Sequence, residues 1–163
     1  MANAIERFEA AARAAGLAAE IRRFPQGTKT AADAARAVGC EVAQIVKSLV
    51  FVADGEPVVA LTSGANRVDP GRLAAALGAR EVRRATPEEA RGATGFAIGG
   101  TPPIGYPRPV RMVIDEDLLG LPEVWAAAGT PDAVFRTTPA ELLRVTGATP
   151  ASFAERSPSG DPR

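Results

Sequence analysis

The chain has 163 residues, 46% of them hydrophobic, with 19 acidic and 19 basic residues, one cysteine and no histidine. That length predicts a single domain with a substantial core, residues 1–156, and no apolar run approaches the roughly 20 residues of a membrane-spanning helix. The missing histidine excludes Ser-His-Asp and Cys-His catalysis and histidine metal ligands. The lone Cys40 excludes an internal disulfide, and zero net charge argues against extensive wrapping of a nucleic-acid backbone while permitting contact with a nucleic-acid end.

Residues 3–15 predict an amphipathic helix with Ile5, Phe8 and Ala12 on one face and Gly16 as its stop. A short strand follows near Glu20–Phe24. Thr30 reads as an N-cap with Asp33 three residues on, opening a helix that Gly39 closes. Val42–Val46 predicts a helical turn leading into a strand at Lys47–Ala53. Asp54-Gly55 is a hairpin signal, with Pro57–Thr62 the returning strand. Asp69-Pro70 caps and starts a helix that ends at Gly78. Arg80–Arg83 reads as a short strand, and Thr86-Pro87-Glu88-Glu89 as a helix start with acids on the favourable end of the dipole.

Gly99–Pro107 is a long Gly- and Pro-rich loop. Val110–Ile114 predicts a strand, Val124–Ala127 either a strand or a helical turn, and Ala133–Thr137 a strand. Thr138-Pro139-Ala140-Glu141 has the spacing of a full capping box and opens a helix that closes at Gly147. The tail from Ser157 is expected to be disordered. Short strands, several adjacent, alternate with about four helices, which predicts an α+β or mixed α/β fold whose sheet contains antiparallel pairs. The region from Gly92 to Gly100 lacks the spacing and context of a dinucleotide-binding loop. The N-terminus carries acid early and has no signal-peptide apolar region, so a cytoplasmic location is expected.

Two features carry the chemistry. The first is Lys47, inside the apolar run Val42–Val52. The only other lysine is Lys29; the remaining basic residues are arginines. Burying an ammonium is costly unless it is paired or used, so Lys47 is either a snorkelling strand-end lysine or an active-site cation. The second is the Gly99–Pro107 loop. Its glycines allow close approach of a ligand to the backbone, and its prolines stiffen it, so that its N–H groups suit a carbonyl oxygen or a phosphate; a plain tight connection is the other reading. Asp132 reads as a turn residue or a polar group at the mouth of a site. Cys40 reads as an inert small residue. Arg22-Arg23, Arg80 to Arg84, and Arg108 with Arg111 form local basic clusters that solvated surface charge would also explain.

Four segments, in this order and at these spacings, make the chain resemble the YbaK/ProX family, free-standing relatives of the editing domain inserted in bacterial prolyl-tRNA synthetase. They are Ile45-Val46-Lys47-Ser48-Leu49-Val50-Phe51, Gly99-Gly100-Thr101-Pro102-Pro103-Ile104-Gly105, Gly129-Thr130-Pro131-Asp132-Ala133-Val134-Phe135, and Thr138 to Gly147. The resemblance covers about residues 3–148. It implies a largely antiparallel, barrel-like sheet surrounded by helices. It also implies an aminoacyl-tRNA deacylase acting in trans on mischarged tRNA, typically tRNA(Pro) carrying Ala, Cys or another small residue. The family lysine maps onto Lys47, and the family's Gly-x-x-x-Pro loop onto Gly99 to Pro103. Ser48 stands where some relatives have Asn, and Asp132 lies near where some have histidine.

On this footing the expected catalytic groups are Lys47 and the backbone N–H groups of Gly100 and Thr101. The expected substrate-binding residues are Phe24, Thr28, Val46, Ser48, Leu49, Ile98, Gly99, Pro102, Pro103, Ile104 and Asp132. Oxyanion stabilisation is expected to dominate, with Lys47 either fixing the terminal phosphate or carbonyl, or acting as general base. No cofactor or metal is expected. The implied partners are the aminoacylated tRNA 3′ end and, transiently, prolyl-tRNA synthetase; no membrane is involved and the family expectation is a monomer. A non-catalytic module that binds tRNA or a synthetase is the alternative.

Overall fold

The computed structural model describes residues 2–24 and 30–156. Thr28 and the tail from Ser157 lie outside the described residues. In chain order the elements are α1 (Ala4–Ala14), β1 (Ile21–Arg23), α2 (Ala31–Val38), β2 (Ile45–Ala53), β3 (Glu56–Ser63), α3 (Pro70–Leu77) and β4 (Val82–Arg84). There follow α4 (Pro87–Thr94), β5 (Arg111–Asp115), β6 (Val124–Ala127), β7 (Ala133–Thr137), α5 (Pro139–Thr146) and β8 (Thr149–Ala151), with short 3-10 turns at Val42–Gln44 and Glu116–Leu118. No helix among the described residues is long and apolar enough to cross a membrane.

The helices begin where side-chain oxygens replace missing backbone partners. Thr30 accepts from the Asp33 N–H, Asp69 from Gly71 and Arg72, and Thr86 from Glu89 in a reciprocal capping box. At α5 only half of the expected box forms. Thr138 accepts from the Glu141 N–H, but the Glu141 carboxylate turns to Arg144, which also donates to the carbonyls of Ala15 and Gly16 at the end of α1. A tertiary contact has taken the group that local spacing assigned to the cap.

The strands form one mixed sheet in the order β1-β7-β6-β2-β3-β5-β8, with β4 also on β2. The longest ladder is the antiparallel β2–β3 hairpin, turned by Asp54 (φ 47°) and Gly55 (φ 83°). β1–β7, β2–β4 and β6–β7 are also antiparallel. β2–β6, β3–β5 and β5–β8 are parallel, which local alternation does not predict. β2 starts at Ile45, two residues before the expected Lys47, because Ile45 and Val46 pair with β6. β8 contains Pro150 and sits at the end of the strand order, where a missing N–H is tolerated.

Alternation along β2 sorts its side chains. Val46 and Val50 enter the main core with Phe8 and Ala12 of α1, Val59 and Leu61 of β3, Ile114 of β5, Phe135 of β7 and Leu142 of α5. The contribution of several strands to one cluster shows the sheet wrapping around it. On the other face Ile45 joins Ala34, Ala35, Trp125 and Val134 beneath α2. Phe51 and Ala53 join Leu73 and Leu77 beneath α3. Lys47 falls on this second face, between the cluster under α2 and the cluster under α3.

Candidate active site

β3 runs along one edge of β2 from Val46 to Ala53. The opposite edge is shared. β6 pairs with Ile45 and Val46, β4 pairs with Phe51 to Ala53, and the Ala85 N–H donates to the Val50 carbonyl at 3.0 Å. Between them Lys47, Ser48 and Leu49 have no strand neighbour on that side among the described residues. A cavity of about 270 Å³ opens at this break. Among the described residues its walls are Thr30, the cap of α2, with Ala31 and Ala34 of α2; Ile45 to Leu49 of β2; Ile98 with Gly99 and Thr101 of the Gly-Pro loop; Trp125 to Ala127 of β6; and Pro131 and Val134. The walls are mainly apolar, and among the described residues that line them Lys47 is the one ionisable group.

The Lys47 Nζ donates to the Asn66 carbonyl oxygen at 2.7 Å. Burial pushes its pKa below the ordinary lysine value, reinforced by Arg84 and then Arg67, against the opposing pull of Asp115. Burial disfavours the charged form and neighbouring cations add to that. Asn66 is itself held by Asp115 and Asp117, each 2.8 Å from its amide nitrogen.

The Gly-Pro loop is seated by close backbone packing. A Cβ on Gly100 would stand 2.6 Å from Thr130 Cα and 2.8 Å from the Gly129 carbonyl oxygen, so only glycine fits. The Gly129 N–H donates to the Gly100 carbonyl at 3.0 Å. The Gly100 N–H donates to Ala97 O at 3.1 Å, as does Thr101 Oγ1. The expectation that Gly100 offers its N–H to a ligand is therefore corrected: that group is already spent inside the turn. The N–H groups of Gly99 and Thr101 have no hydrogen-bond partner among the described residues.

Of the other residues singled out in the sequence, Val46, Ser48, Leu49, Ile98 and Gly99 line the cavity with Lys47 and Thr101. Ile98 is 48% exposed at the cavity wall. Ile104 does not line it; it is buried in the main core, because the loop turns inward there. Pro102 and Pro103 are likewise buried away from the cavity, and Tyr106 donates its hydroxyl to the Pro102 carbonyl. Phe24 packs with the cluster under α2. Asp132 is a turn residue outside the cavity lining: its carboxylate accepts from Thr130 Oγ1 and pairs with Arg23 at 3.1 Å. The Thr130 hydroxyl, with Arg23, holds that carboxyl below the usual range. Sequence reasoning missed the α2 and β6 walls. Trp125 Nε1 and Ser48 Oγ are both buried without a hydrogen-bond partner among the described residues. Cys40 is not in the lining; burial, Glu123 and Glu41 push its thiol up, away from the reactive thiolate.

The model of the aminoacyl-tRNA editing domain family matches residues 25–145. The chain belongs to this family. It is 36% identical over 104 residues to a proline–tRNA ligase of Nitratidesulfovibrio vulgaris, covering 63% of this chain and 18% of the ligase. It is 35% identical over 116 residues to that of Acidithiobacillus ferrooxidans, covering 71% of this chain and 20% of the ligase. The chain thus spans about a fifth of the length of these curated relatives. A solved structure of a proposed trans-editing enzyme for prolyl tRNA synthetase is 49% identical, with a TM-score of 0.90, over 96% of this chain and 99% of that one. The fold is that of the editing domain, a mixed sheet with helices on both faces. Among the described residues the cavity brings together one cation, Lys47, and an apolar enclosure, and main-chain donors beside a cation are what a carbonyl whose oxygen gains charge requires.

Proposed function

We propose that this editing domain is a deacylase that acts in trans on mischarged tRNA, removing Ala, Cys or another small amino acid, with tRNA(Pro) as its first substrate. The observation that carries the reading is Lys47 in the wall of a small apolar cavity that is also lined by Gly99 and Thr101, whose N–H groups have no hydrogen-bond partner among the described residues. At about 270 Å³ the cavity lies just under the usual ligand range of about 300–1,000 Å³, which suits an aminoacyl group presented on a terminal nucleoside. The similarity to proline–tRNA ligases and to the solved trans-editing relative supports the choice of tRNA.

In the reaction, water adds to the ester carbonyl carbon, and the carbonyl oxygen takes the negative charge. The bond to the ribose oxygen then breaks, and that oxygen leaves with the proton the water gave up. The products are free amino acid and a free tRNA 3′ end. Thr101 and Gly99 N–H groups stabilise the oxyanion. Lys47 acts as a cation, holding the carbonyl or the terminal phosphate, since its Nζ already donates to a carbonyl. The proton passes through the vicinal ribose hydroxyl or the substrate amine, because the chain has no histidine and none of the described residues lining the cavity is a carboxylate.

The test is deacylation of tRNA(Pro) charged in turn with Ala, Cys, Ser, Thr, 2-aminobutyrate and Pro, by the wild type and by Lys47→Ala. Turnover of a non-proline substrate that is lost in Lys47→Ala is the expected result. Absence of turnover with tRNA still bound would move the chain to a binding module.

A further inference from the structure

Lys47 takes part in none of the ion pairs formed by the described residues. Its hydrogen-bond partner is neutral, the main-chain carbonyl of Asn66. What fixes that carbonyl is the side chain of the same residue. Asn66 Nδ2 donates both its hydrogens, to Asp115 Oδ2 and to Asp117 Oδ2, each at 2.8 Å, while its N–H donates to the Ser63 carbonyl at 2.9 Å. Asp115 is 1% exposed. Its Oδ2 also accepts from the Ser63 N–H at 3.1 Å, and its Oδ1 from the Asp117 N–H at 3.0 Å. The turn after β3 is thereby tied to the end of β5 at several points.

We propose that Asn66 is a positioning residue: with its amide clamped between Asp115 and Asp117, it holds its own carbonyl against Lys47 and sets where the ammonium stands in the cavity. This rests on the reading of Lys47 as the working cation. A carboxylate in direct contact would orient Lys47 but also offset its charge. A carbonyl orients it with one of its three donors and leaves two donors and the full charge for substrate. Asp115 and Asp117 grip the amide, and the direct pull of Asp115 on the ammonium is the smallest influence on it, after burial, Arg84 and Arg67. A long, flexible side chain gains a defined position without acquiring a counter-ion.

The experiment compares wild type, Asn66→Ala and Asp117→Asn. The chain contains two lysines, Lys29 and Lys47, so 13Cε-lysine labelling gives two signals, assigned with Lys47→Arg. Thermal unfolding establishes that each variant is folded, and Asp117→Asn, which keeps the buried Asp115 contact, serves if Asn66→Ala is not. The expected result is a fall in the order parameter of the Lys47 ε-methylene in Asn66→Ala. A fall in kcat of about tenfold on the best aminoacyl-tRNA, with KM within twofold, accompanies it, as expected when a reacting group is misplaced by a fraction of an ångström. Asp117→Asn shows both effects in the same direction and smaller. The proposal is overturned if both quantities stay at their wild-type values, or if either changes without the other. Should the wild type hydrolyse no aminoacyl-tRNA, the deacylase reading fails, and the order parameter still decides the clamp: lost restraint supports it, and retained restraint overturns it.

Discussion

Replacing Gly100 by alanine tests how the cavity wall is held. The new Cβ meets three backbone atoms: Thr130 Cα at 2.6 Å, the Gly129 carbonyl oxygen at 2.8 Å and the Thr130 carbonyl carbon at 2.9 Å. None belongs to a side chain that can swing away, so the loop and the 129–130 turn must part. Overpacking of this kind costs about 1–3 kcal/mol. Parting them also strains or breaks the hydrogen bond from the Gly129 N–H to the Gly100 carbonyl, worth about 0.5–1.5 kcal/mol. The two together come to about 1.5–4.5 kcal/mol, readable as a lower urea midpoint at unchanged m-value. Gly99 and Thr101 flank the substituted residue and line the cavity, so deacylation should fall further than the folded fraction alone explains, by about tenfold or more. Urea unfolding and single-turnover deacylation on the same preparation measure both. A Gly100→Ala protein within about 0.5 kcal/mol of wild type and fully active would refute the view that this backbone contact seats the wall.

Other outcomes follow from the same geometry. Lys47 has a lowered pKa, so as a required cation it loses its proton, and activity, at lower pH than an ordinary lysine would; the alkaline limb of the rate profile, corrected for spontaneous ester hydrolysis, should move up in pH in Lys47→Arg. The same burial predicts that Lys47→Met abolishes activity yet raises neutral-pH stability by about 0.5–2 kcal/mol; because the folded pKa lies below the unfolded one, this gain should shrink as pH rises above the folded value. Ile98→Ser should leave the melting temperature within a degree or two while raising KM several-fold, since its side chain is half-exposed at the cavity wall. Ser48→Ala deletes a buried hydroxyl without a partner and should be neutral or stabilising by up to about 1 kcal/mol, with a changed ratio of rates on seryl- and alanyl-tRNA as the activity readout.

Local chemistry made much of the fold legible. Thr30, Thr86 and Thr138 cap helices as their spacing indicates, and Asp54-Gly55 turns the hairpin, because each signal depends on residues a few positions apart. The diverted Glu141 shows the limit: its local assignment lost to Arg144, which also reaches the end of α1. Lys47 stood out as a lone charge in an apolar run. The walls from α2 and β6 did not: β6 reaches the cavity through its parallel pairing with β2, a contact between positions about 80 residues apart, and α2 by packing over Ile45, Trp125 and Val134. Ile104 could not be told from Ile98 by composition; one follows the loop into the core and the other stays at its rim. Asn66 was invisible for a different reason. It meets Lys47 through a main-chain carbonyl, a group every residue possesses.

The break along β2 also bears on solubility. Three residues of strand edge without a strand neighbour among the described residues are a template for an extended segment of another chain. In this protein the crevice beside Ser48, Leu49 and Val50 is closed to about 30 Å³ by Ile98, Gly99 and Thr101 together with Arg84, Ala85 and Ala90. The loop that walls the cavity is therefore also the cover that keeps the sheet from being extended by a stranger. Changes that retune it for a new amino acid carry a second liability, self-association, and screens for altered specificity should count soluble protein before they count turnover.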